Sequence, residues 1–173
     1  MSELTKKICT RRSTKKFKPD MIPGDVLERI IRAGTYAPTG MGKQSPIILA
    51  VTDKNMRDRL SKMNAAVMGA EIDPFYGAPV VLVVLADRSI PTYIYDGSTV
   101  MENLMLAAHF EGVGSCWIHR AREEFTSEEG KKILKDLGIE GDYEGIGHCV
   151  LGYPDGEPRK AVPRKENYVY YVK

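Results

Sequence analysis

The first stretch that could bind a ligand by charge lies close to the N-terminus. Residues 10–17 read TRRSTKKF, so four cations and three hydroxyls fall within the first seven positions. Arginine guanidinium groups match phosphate oxygens bidentately, and hydroxyl groups add short hydrogen bonds. The segment therefore predicts an anion-binding cradle. A solvated basic turn is the alternative that these residues alone leave open.

A second stretch suited to a ligand is the loop at residues 38–46, which reads PTGMGKQSP. Its two glycines let the backbone approach a ligand closely, and Gln44 offers both donor and acceptor groups. Pro38 disfavours helical geometry in Ala37, so the preceding helix should end there. A ligand-binding loop and an ordinary surface loop are both compatible with this composition.

Known motifs for catalysis by side chains are not visible in the sequence. Residues 112–117 begin like a dinucleotide fingerprint, but Trp117 stands where the third glycine belongs, and the segment follows a predicted helix. There is no P-loop and no nucleophile elbow, and the histidines lack metal-ligand spacing. Cys116 lies near His119 without a legible activating arrangement. If the protein is an enzyme, its chemistry should therefore come from a cofactor.

Composition limits the partners and the compartment. The net charge is only +2, and Lys and Arg alternate with Asp and Glu, which argues against nucleic-acid binding. The longest apolar run, residues 78–86, is too short to span a membrane, and the N-terminus lacks the apolar region of a secretory signal. Three widely spaced cysteines without a CxxC pattern argue against a disulfide framework. We expect a cytoplasmic protein without a membrane partner.

The element that should organise the chain is a helix followed by a strand near its middle. A capping-box pattern, Thr99 with Glu102, predicts the start of a helix that continues to Phe110. This helix is apolar on nearly all sides and must be buried. Two glycines should end it, and strand composition follows at residues 115–118. On these residues alone, a purely structural role in the core remains the alternative.

The remaining elements flank this unit. Helices are predicted near the N-terminus, from an Asp25–Glu28 cap to Ala37, at residues 55–68 and after a Thr126–Glu129 cap; strands are predicted at residues 47–51, 78–86 and 146–151. The strand at 78–86 is apolar on both faces and belongs in the middle of a sheet. The proline-containing tail ends in an apolar stretch, 168–172, for which a partner subunit is a candidate contact. A single domain, 1–173, is expected.

Taken in order, these segments resemble the flavin-dependent nitroreductase family, close to its shorter members. Residues 11–17 look like the family's RRSxRxF opening, and residues 37–46 are similar to its APSxxNxQPW loop. Residues 77–79 and 96–118 resemble the strand, long helix and GLGSCWI turn. The tail from Gly152, with its basic residues, resembles a GYP…KxR ending. Gly42 departs from the family, which usually has Asn at that position.

The resemblance implies a fold, a cofactor and an assembly. The implied fold is α+β, with a central mixed sheet flanked by helices. The implied cofactor is FMN, and the implied assembly is an obligate homodimer with flavin sites at the subunit interface. The C-terminal extension would pack on the partner subunit.

The resemblance also assigns cofactor-binding residues, in four groups. They are Arg11, Arg12, Ser13 and Lys15 in the N-terminal segment; Pro38, Thr39, Gly40 and Gln44 in the loop; Trp117, Ile118 and His119 at the strand end; and Lys160 and Arg164 in the tail. The N-terminal group would contact the phosphate, the ribityl chain or the ring from one end, and Arg164 with Lys160 would complete the phosphate site. The first three loop residues would come from the other subunit, with Gln44 near the flavin. Backbone groups at the strand end would face the ring.

The implied activity is that of an FMN-dependent oxidoreductase. Hydride from NADH or NADPH would pass through flavin N5 to a nitroaromatic, quinone or similar acceptor, in a ping-pong sequence without a catalytic side chain. A flavin-binding redox sensor or carrier without turnover is one alternative. A dimeric interaction module without a cofactor is another, and it predicts a colourless protein.

Overall fold

The computed structural model describes residues 1–173. The α-helices are α1 (Glu3–Thr10), α2 (Gly24–Thr35), α3 (Lys54–Met68), α4 (Tyr93–Phe110), α5 (Ala121–Thr126) and α6 (Glu128–Asp136). The strands are β1 (Pro46–Val51), β2 (Val80–Asp87), β3 (Gly114–Ile118) and β4 (Tyr143–Gly152). Short 3-10 helices lie at Gly40–Gly42 and Glu166–Tyr168.

The four strands form one sheet in the order β1-β2-β4-β3, with helices on both faces. Alternate residues of β2 belong to two separate core clusters, one packed with α3, α5 and α6 and the other with α2 and α4. Residues 80–86 are buried throughout, which confirms the interior position predicted from their apolar run. The expected α+β class, with a sheet flanked by helices, is therefore observed.

The expectation of a mixed sheet is wrong for the strands of this chain. All three strand pairs are antiparallel, and the only parallel contact is an isolated bridge between Ser13 and Ser115. Burial on both faces makes β2 apolar whichever way its neighbours run. Its composition therefore could not report the direction of the strands beside it.

The buried helix α4 begins earlier than its capping-box pattern predicted. Its first residue is Tyr93, and Thr99 lies inside the helix, where its hydroxyl donates to the carbonyls of Asp96 (2.7 Å) and Pro38 (3.0 Å). A Thr-x-x-Glu pattern can also occur within a helix, and here the Thr hydroxyl bonds backward and to a neighbouring loop. The predicted burial is confirmed, because Met101, Leu104 and Ala108 are fully inaccessible.

Two other predicted caps are also wrong. Ser127, not Thr126, caps α6, and its hydroxyl accepts a hydrogen bond from the backbone N–H of Gly130 at 3.1 Å. Asp25 lies inside the first turn of α2, where it pairs with Arg29 at 2.8 Å. Each predicted boundary is close to the observed one, because a carboxylate or hydroxyl in the first helical turn is favourable even when it is not the cap.

The two ends of the chain have few contacts with the rest of it. Helix α1 has no buried residue, and residues 156–173 are exposed. The apolar stretch 168–172 forms no strand, and the exposed fractions of Tyr171 and Val172 are 83% and 100%. None of the helices has the length and hydropathy needed to cross a membrane.

Candidate functional site

A cleft of about 640 Å³ opens beside the N-terminal basic segment. This volume falls in the range of roughly 300–1,000 Å³ that is usual for small-molecule sites. Its walls are residues 10–16, the start of β3 and the turn at 154–159. Five of the lining residues are cations: Arg11, Arg12, Lys15, Lys16 and Arg159.

Backbone hydrogen bonds fix the basic segment in place. Thr14 N donates to Ser115 O at 2.9 Å, and Asp155 N donates to Lys16 O at 3.0 Å. The segment is thus held between β3 and the turn that follows β4. Gly114 allows this close approach, because a side chain there would clash with the Thr14 hydroxyl. The cationic side chains therefore project from a fixed backbone, as an anion cradle requires.

Most of the cleft's positive charge is not neutralised within the chain. Lys16 alone among the five forms an ion pair, with Asp155 at 2.6 Å, and this pair holds the pKa of Asp155 below its usual value. Arg11 carries a buried Nη1 atom without a hydrogen-bond partner. A buried guanidinium donor that lacks an acceptor is costly. A phosphate oxygen would supply that acceptor, so these residues fit the phosphate end of a nucleotide.

His109 also lines this cleft, a role that the sequence reasoning missed. Its Nε2 lies 3.0 Å from the hydroxyl of Thr10. Burial lowers the pKa of His109, and the cations Arg11, Lys7 and Arg12 lower it further. Proximity to the basic segment, 99 residues away in the chain, gives no local signal.

Cys116 is not poised as a nucleophile. Its side chain is 3% exposed, and burial raises the pKa of the thiol. A thiol must ionise to attack, so the neutral form favoured here is unreactive. No group of three His, Cys, Asp or Glu side chains is arranged to hold a metal ion.

The second predicted group lies in the loop at 38–45, which is held by the buried carboxylate of Asp96. One oxygen of Asp96 accepts from Gly40 N at 2.9 Å, and the other accepts from the hydroxyls of Ser45 (2.7 Å) and Thr92 (3.1 Å). Burial alone would raise the pKa of Asp96, but these hydrogen bonds outweigh it and hold the pKa below its usual value. The loop is thus tied to the first turn of α4.

This loop also contains backbone strain. Met41 and Gln44 have φ values of 53° and 50°, in the left-handed region that is unfavourable for side chains other than Asn, Asp and Gly. Gln44 N donates to the Thr39 hydroxyl at 3.1 Å, which helps to hold that conformation. Strain of this kind persists only when surrounding contacts over-determine the backbone. Here the hydrogen bonds to Asp96 are among the contacts that hold the loop backbone in this conformation.

The third predicted group lies where β3 ends. Ile118 is buried, His119 is exposed, and the half-buried Trp117 lies against Gly147, where a side chain would clash with the indole. The backbone N–H groups of His119 and Arg120 donate no hydrogen bond within the chain. Arg120 has φ 78°, so the chain turns sharply into α5 at this point. The strand end therefore presents two free backbone donors.

The predicted residues do not all meet in one place within a single chain. The four N-terminal residues line the cleft, whereas the loop group and the strand-end group do not. In the tail, Arg159 lines the cleft, but Lys160 and Arg164 do not, and the guanidinium of Arg164 donates to Val162 O instead. Arg159 is one of the basic residues of the tail but is not among the residues that the family resemblance assigns to the cofactor.

Comparisons with known proteins agree with this geometry. The Nitroreductase family profile matches residues 8–74 and 70–153. A curated Archaeoglobus fulgidus protein with the provisional name NADH dehydrogenase/NAD(P)H nitroreductase is 32% identical over 163 residues, covering 91% of this chain and 88% of that protein. The structure is similar to an FMN-bound nitroreductase from Bacteroides fragilis, with TM-score 0.91, 26% identity and complete coverage of both chains. A Desulfitobacterium hafniense nitroreductase has the same fold, with TM-score 0.89, 24% identity and complete coverage of both chains. This chain belongs to the nitroreductase family.

Proposed function

We propose that this protein is an FMN-dependent oxidoreductase, formed by a single domain, that uses NADH or NADPH to reduce a nitroaromatic, quinone or similar electrophile. When bound, FMN would supply hydride transfer through N5, in a ping-pong sequence that exchanges the nicotinamide for the acceptor. The observation that carries the proposal is the buried, unpartnered Nη1 of Arg11 in a cation-rich cleft. Family membership supports it, and so does the FMN-bound neighbour from B. fragilis.

The chain's own residues would bind and orient the cofactor. Arg11, Arg12, Ser13 and Lys15 would hold the phosphate and the adjoining ribityl chain, with Arg159 completing the charge. Lys15 forms no ion pair, and its Nζ lies 5.6 Å from the centre of the Tyr76 ring, so it remains available to an anionic ligand. Lys160 and Arg164 would join the site only if the exposed tail takes another path on assembly.

A homodimer would bring the separated groups together. The loop carrying Pro38, Thr39, Gly40 and Gln44 does not line the cleft of its own chain, yet its backbone is held in a defined, strained form. A strained loop with exposed Met41 is suited to contact another surface. In the proposal, this loop closes the flavin site of the partner subunit, while the free N–H groups at the strand end face the ring.

The exposed tail offers a second contact between subunits. Strand β1 lies at the edge of the sheet, beside an apolar groove of about 530 Å³ whose lining includes Ile48, Met56 and Leu137. The tail's apolar stretch, 168–172, is exposed and has strand composition. In the proposal, each tail packs along this edge of the other subunit. The free thiols, among them the exposed Cys9, suit the reducing cytoplasm.

The test is a visible spectrum of the purified protein after incubation with FMN and desalting, followed by anaerobic addition of NADH and then NADPH. Retained flavin bands that bleach within seconds would support the oxidoreductase and identify the donor. Retained bands that neither nicotinamide bleaches would contradict turnover and favour a carrier or sensor. A folded protein that retains no flavin would contradict the proposal.

A further inference from the structure

A cluster of polar side chains is buried beneath the end of β3. Asn64 from α3, Glu124 from α5 and His148 from β4 have exposed fractions of 0%, 1% and 0%. They lie on the sheet face that is otherwise packed with apolar residues such as Phe75, whose ring centre is 5.1 Å from that of His148. Neither the cofactor cleft nor the strained loop contains any of the three.

The hydrogen bonds of this cluster converge on the backbone at residues 118–120. The Asn64 amide donates to His119 O at 2.8 Å and to the Glu124 carboxylate, and its oxygen accepts from Arg120 Nε at 3.0 Å. His148 Nδ1 lies 3.4 Å from Ile118 O. The cluster thus holds the carbonyls of Ile118 and His119 and the side chain of Arg120 from the buried side of the backbone.

Glu124 joins the two other members of the cluster. One of its carboxylate oxygens accepts from the Asn64 amide. Its other oxygen, Oε2, lies 3.3 Å from His148 Nε2. Both of these facing atoms are buried and have no hydrogen-bond partner in the chain, so the contact between them is one of proximity.

Such a cluster is not explained by stability alone. Replacing a buried ionic pair with apolar side chains of similar volume is often neutral or stabilising. Buried polar groups can instead specify one backbone conformation among alternatives. The conformation specified here is unusual, because Arg120 sits at φ 78° and the N–H groups of His119 and Arg120 have no partner in the chain. The C=O and N–H groups of a trans peptide unit point in opposite directions. When the cluster holds the Ile118 and His119 carbonyls on one side of the backbone, the His119 and Arg120 N–H groups therefore face the other side.

We propose that Asn64, Glu124 and His148 are positioning residues that fix the 118–120 backbone so that the His119 and Arg120 N–H groups address the flavin ring. This inference rests on the proposed function. Donors fixed where negative charge develops favour the reduced ring over the oxidised one, since they need no reorganisation. The cluster thereby sets how much more tightly the site holds reduced than oxidised FMN.

The test uses two variants of the cluster and one matched control. Glu124→Gln replaces the carboxylate that faces His148 with an amide at nearly constant volume, and Asn64→Leu removes all three amide hydrogen bonds. The control, Cys149→Ala, alters a fully buried residue of β4 on the opposite face of the sheet. If either cluster variant fails to fold, Arg120→Asn replaces it, because Asn tolerates a positive φ and lacks the reach to Asn64.

The first measurement needs no flavin. Backbone ¹⁵N order parameters of residues 119 and 120 in the apoprotein should be near 0.85 in the unaltered chain and below about 0.6 in the cluster variants. The second is the reduction potential of bound FMN. We expect the preference for reduced over oxidised flavin to fall at least tenfold, about 30 mV for a two-electron couple. The control should leave both quantities unchanged.

The outcomes separate this inference from the proposed function. Order parameters and potential that match the unaltered protein in folded cluster variants would overturn the inference while leaving FMN binding intact. An unaltered protein that retains no flavin would overturn the proposed function, and the order parameters would still decide whether the cluster positions the backbone. A control that shifts the potential as much as Glu124→Gln would overturn the assignment to these residues.

Discussion

The basic cleft and the loop at 38–45, which Asp96 holds, differ in what is left unfavourable: side-chain charge in the cleft and backbone conformation in the loop. In the cleft, the backbone is relaxed and the charges are unsatisfied, with Arg11 Nη1 buried and unpartnered. In the loop, the charge of Asp96 is fully engaged while the backbone at Met41 and Gln44 is strained. The cleft is suited to bind an anion through its cationic side chains, and the loop is suited to contact another surface through the fixed shape of its backbone. Changes in charge should therefore affect the first region, and changes in internal hydrogen bonding should affect the second.

The largest expected effect is on the cleft. The double variant Arg11→Ala with Arg159→Ala removes two cleft cations proposed for the flavin phosphate, each worth roughly 1.5–3 kcal/mol as a charged hydrogen bond. We expect FMN affinity to fall by about 10²- to 10⁴-fold. Flavin fluorescence titration measures it, with riboflavin, which lacks the phosphate, as the comparison ligand. Equal losses for FMN and riboflavin, or unchanged FMN retention, would contradict the phosphate assignment.

A second prediction concerns the loop. Asp96→Asn replaces one accepting oxygen with a donor that faces the Ser45 and Thr92 hydroxyls, so the free energy of unfolding should fall by about 2–3 kcal/mol. Urea unfolding of the apoprotein measures the change. Asp53→Asn, at the exposed cap of α3, is a matched control and should cost about 1 kcal/mol or less. A loss confined to flavin affinity would mean that the loop is not held through Asp96.

The same variant predicts a dependence on pH. The folded-state pKa of Asp96 is lower than its ordinary value of 3.8, so its stabilising contribution is present above that value and is lost as the pH falls through the folded-state pKa. The stability difference between the unaltered protein and Asp96→Asn should therefore be constant near neutral pH and should shrink below the ordinary pKa. A difference that grows on acidification would contradict the role of the carboxylate.

A smaller effect should come from the one neutralised cation of the cleft. Asp155→Asn releases Lys16 from its ion pair, which is largely exposed. The freed charge should tighten FMN binding by at most about fivefold, and the gain should disappear at high salt. Fluorescence titration at two salt concentrations measures both. Weaker binding at low salt would show that Asp155 orients Lys16 instead of competing for it.

The smallest predicted effect involves His109. Its folded-state pKa is lower than 6.5, so the unfolded chain binds the proton more readily and the apoprotein should lose stability as the pH falls below that value. His109→Gln should flatten this dependence. Thermal unfolding of both apoproteins between neutral and mildly acidic pH measures the difference. If the melting temperatures of the two apoproteins change equally with pH, the cleft does not disfavour the protonated form of His109.

Elements with strong local patterns were predictable, and contacts between distant segments were not. The burial of β2 follows from its apolar run, and the positive charge of the cleft follows from the composition of the basic segment at 10–17. Asp96 was not recognised because its partners, Gly40 and Ser45, lie more than fifty residues away. The Glu124–Asn64 contact spans 60 residues, and nothing in either neighbourhood predicts it. Arg159 and Lys160 are adjacent and chemically similar, so only the path of the turn shows which one lines the cleft.

The uncovered edge of β1 should also affect how readily the newly folded protein aggregates. A newly folded subunit presents a strand with unpaired backbone groups next to an apolar groove, the combination that promotes sheet-to-sheet aggregation. Association with a second subunit would compete with that aggregation. In the proposed dimer the tail of the other subunit covers this edge, so a chain shortened before residue 166 should give a lower soluble yield than the full chain.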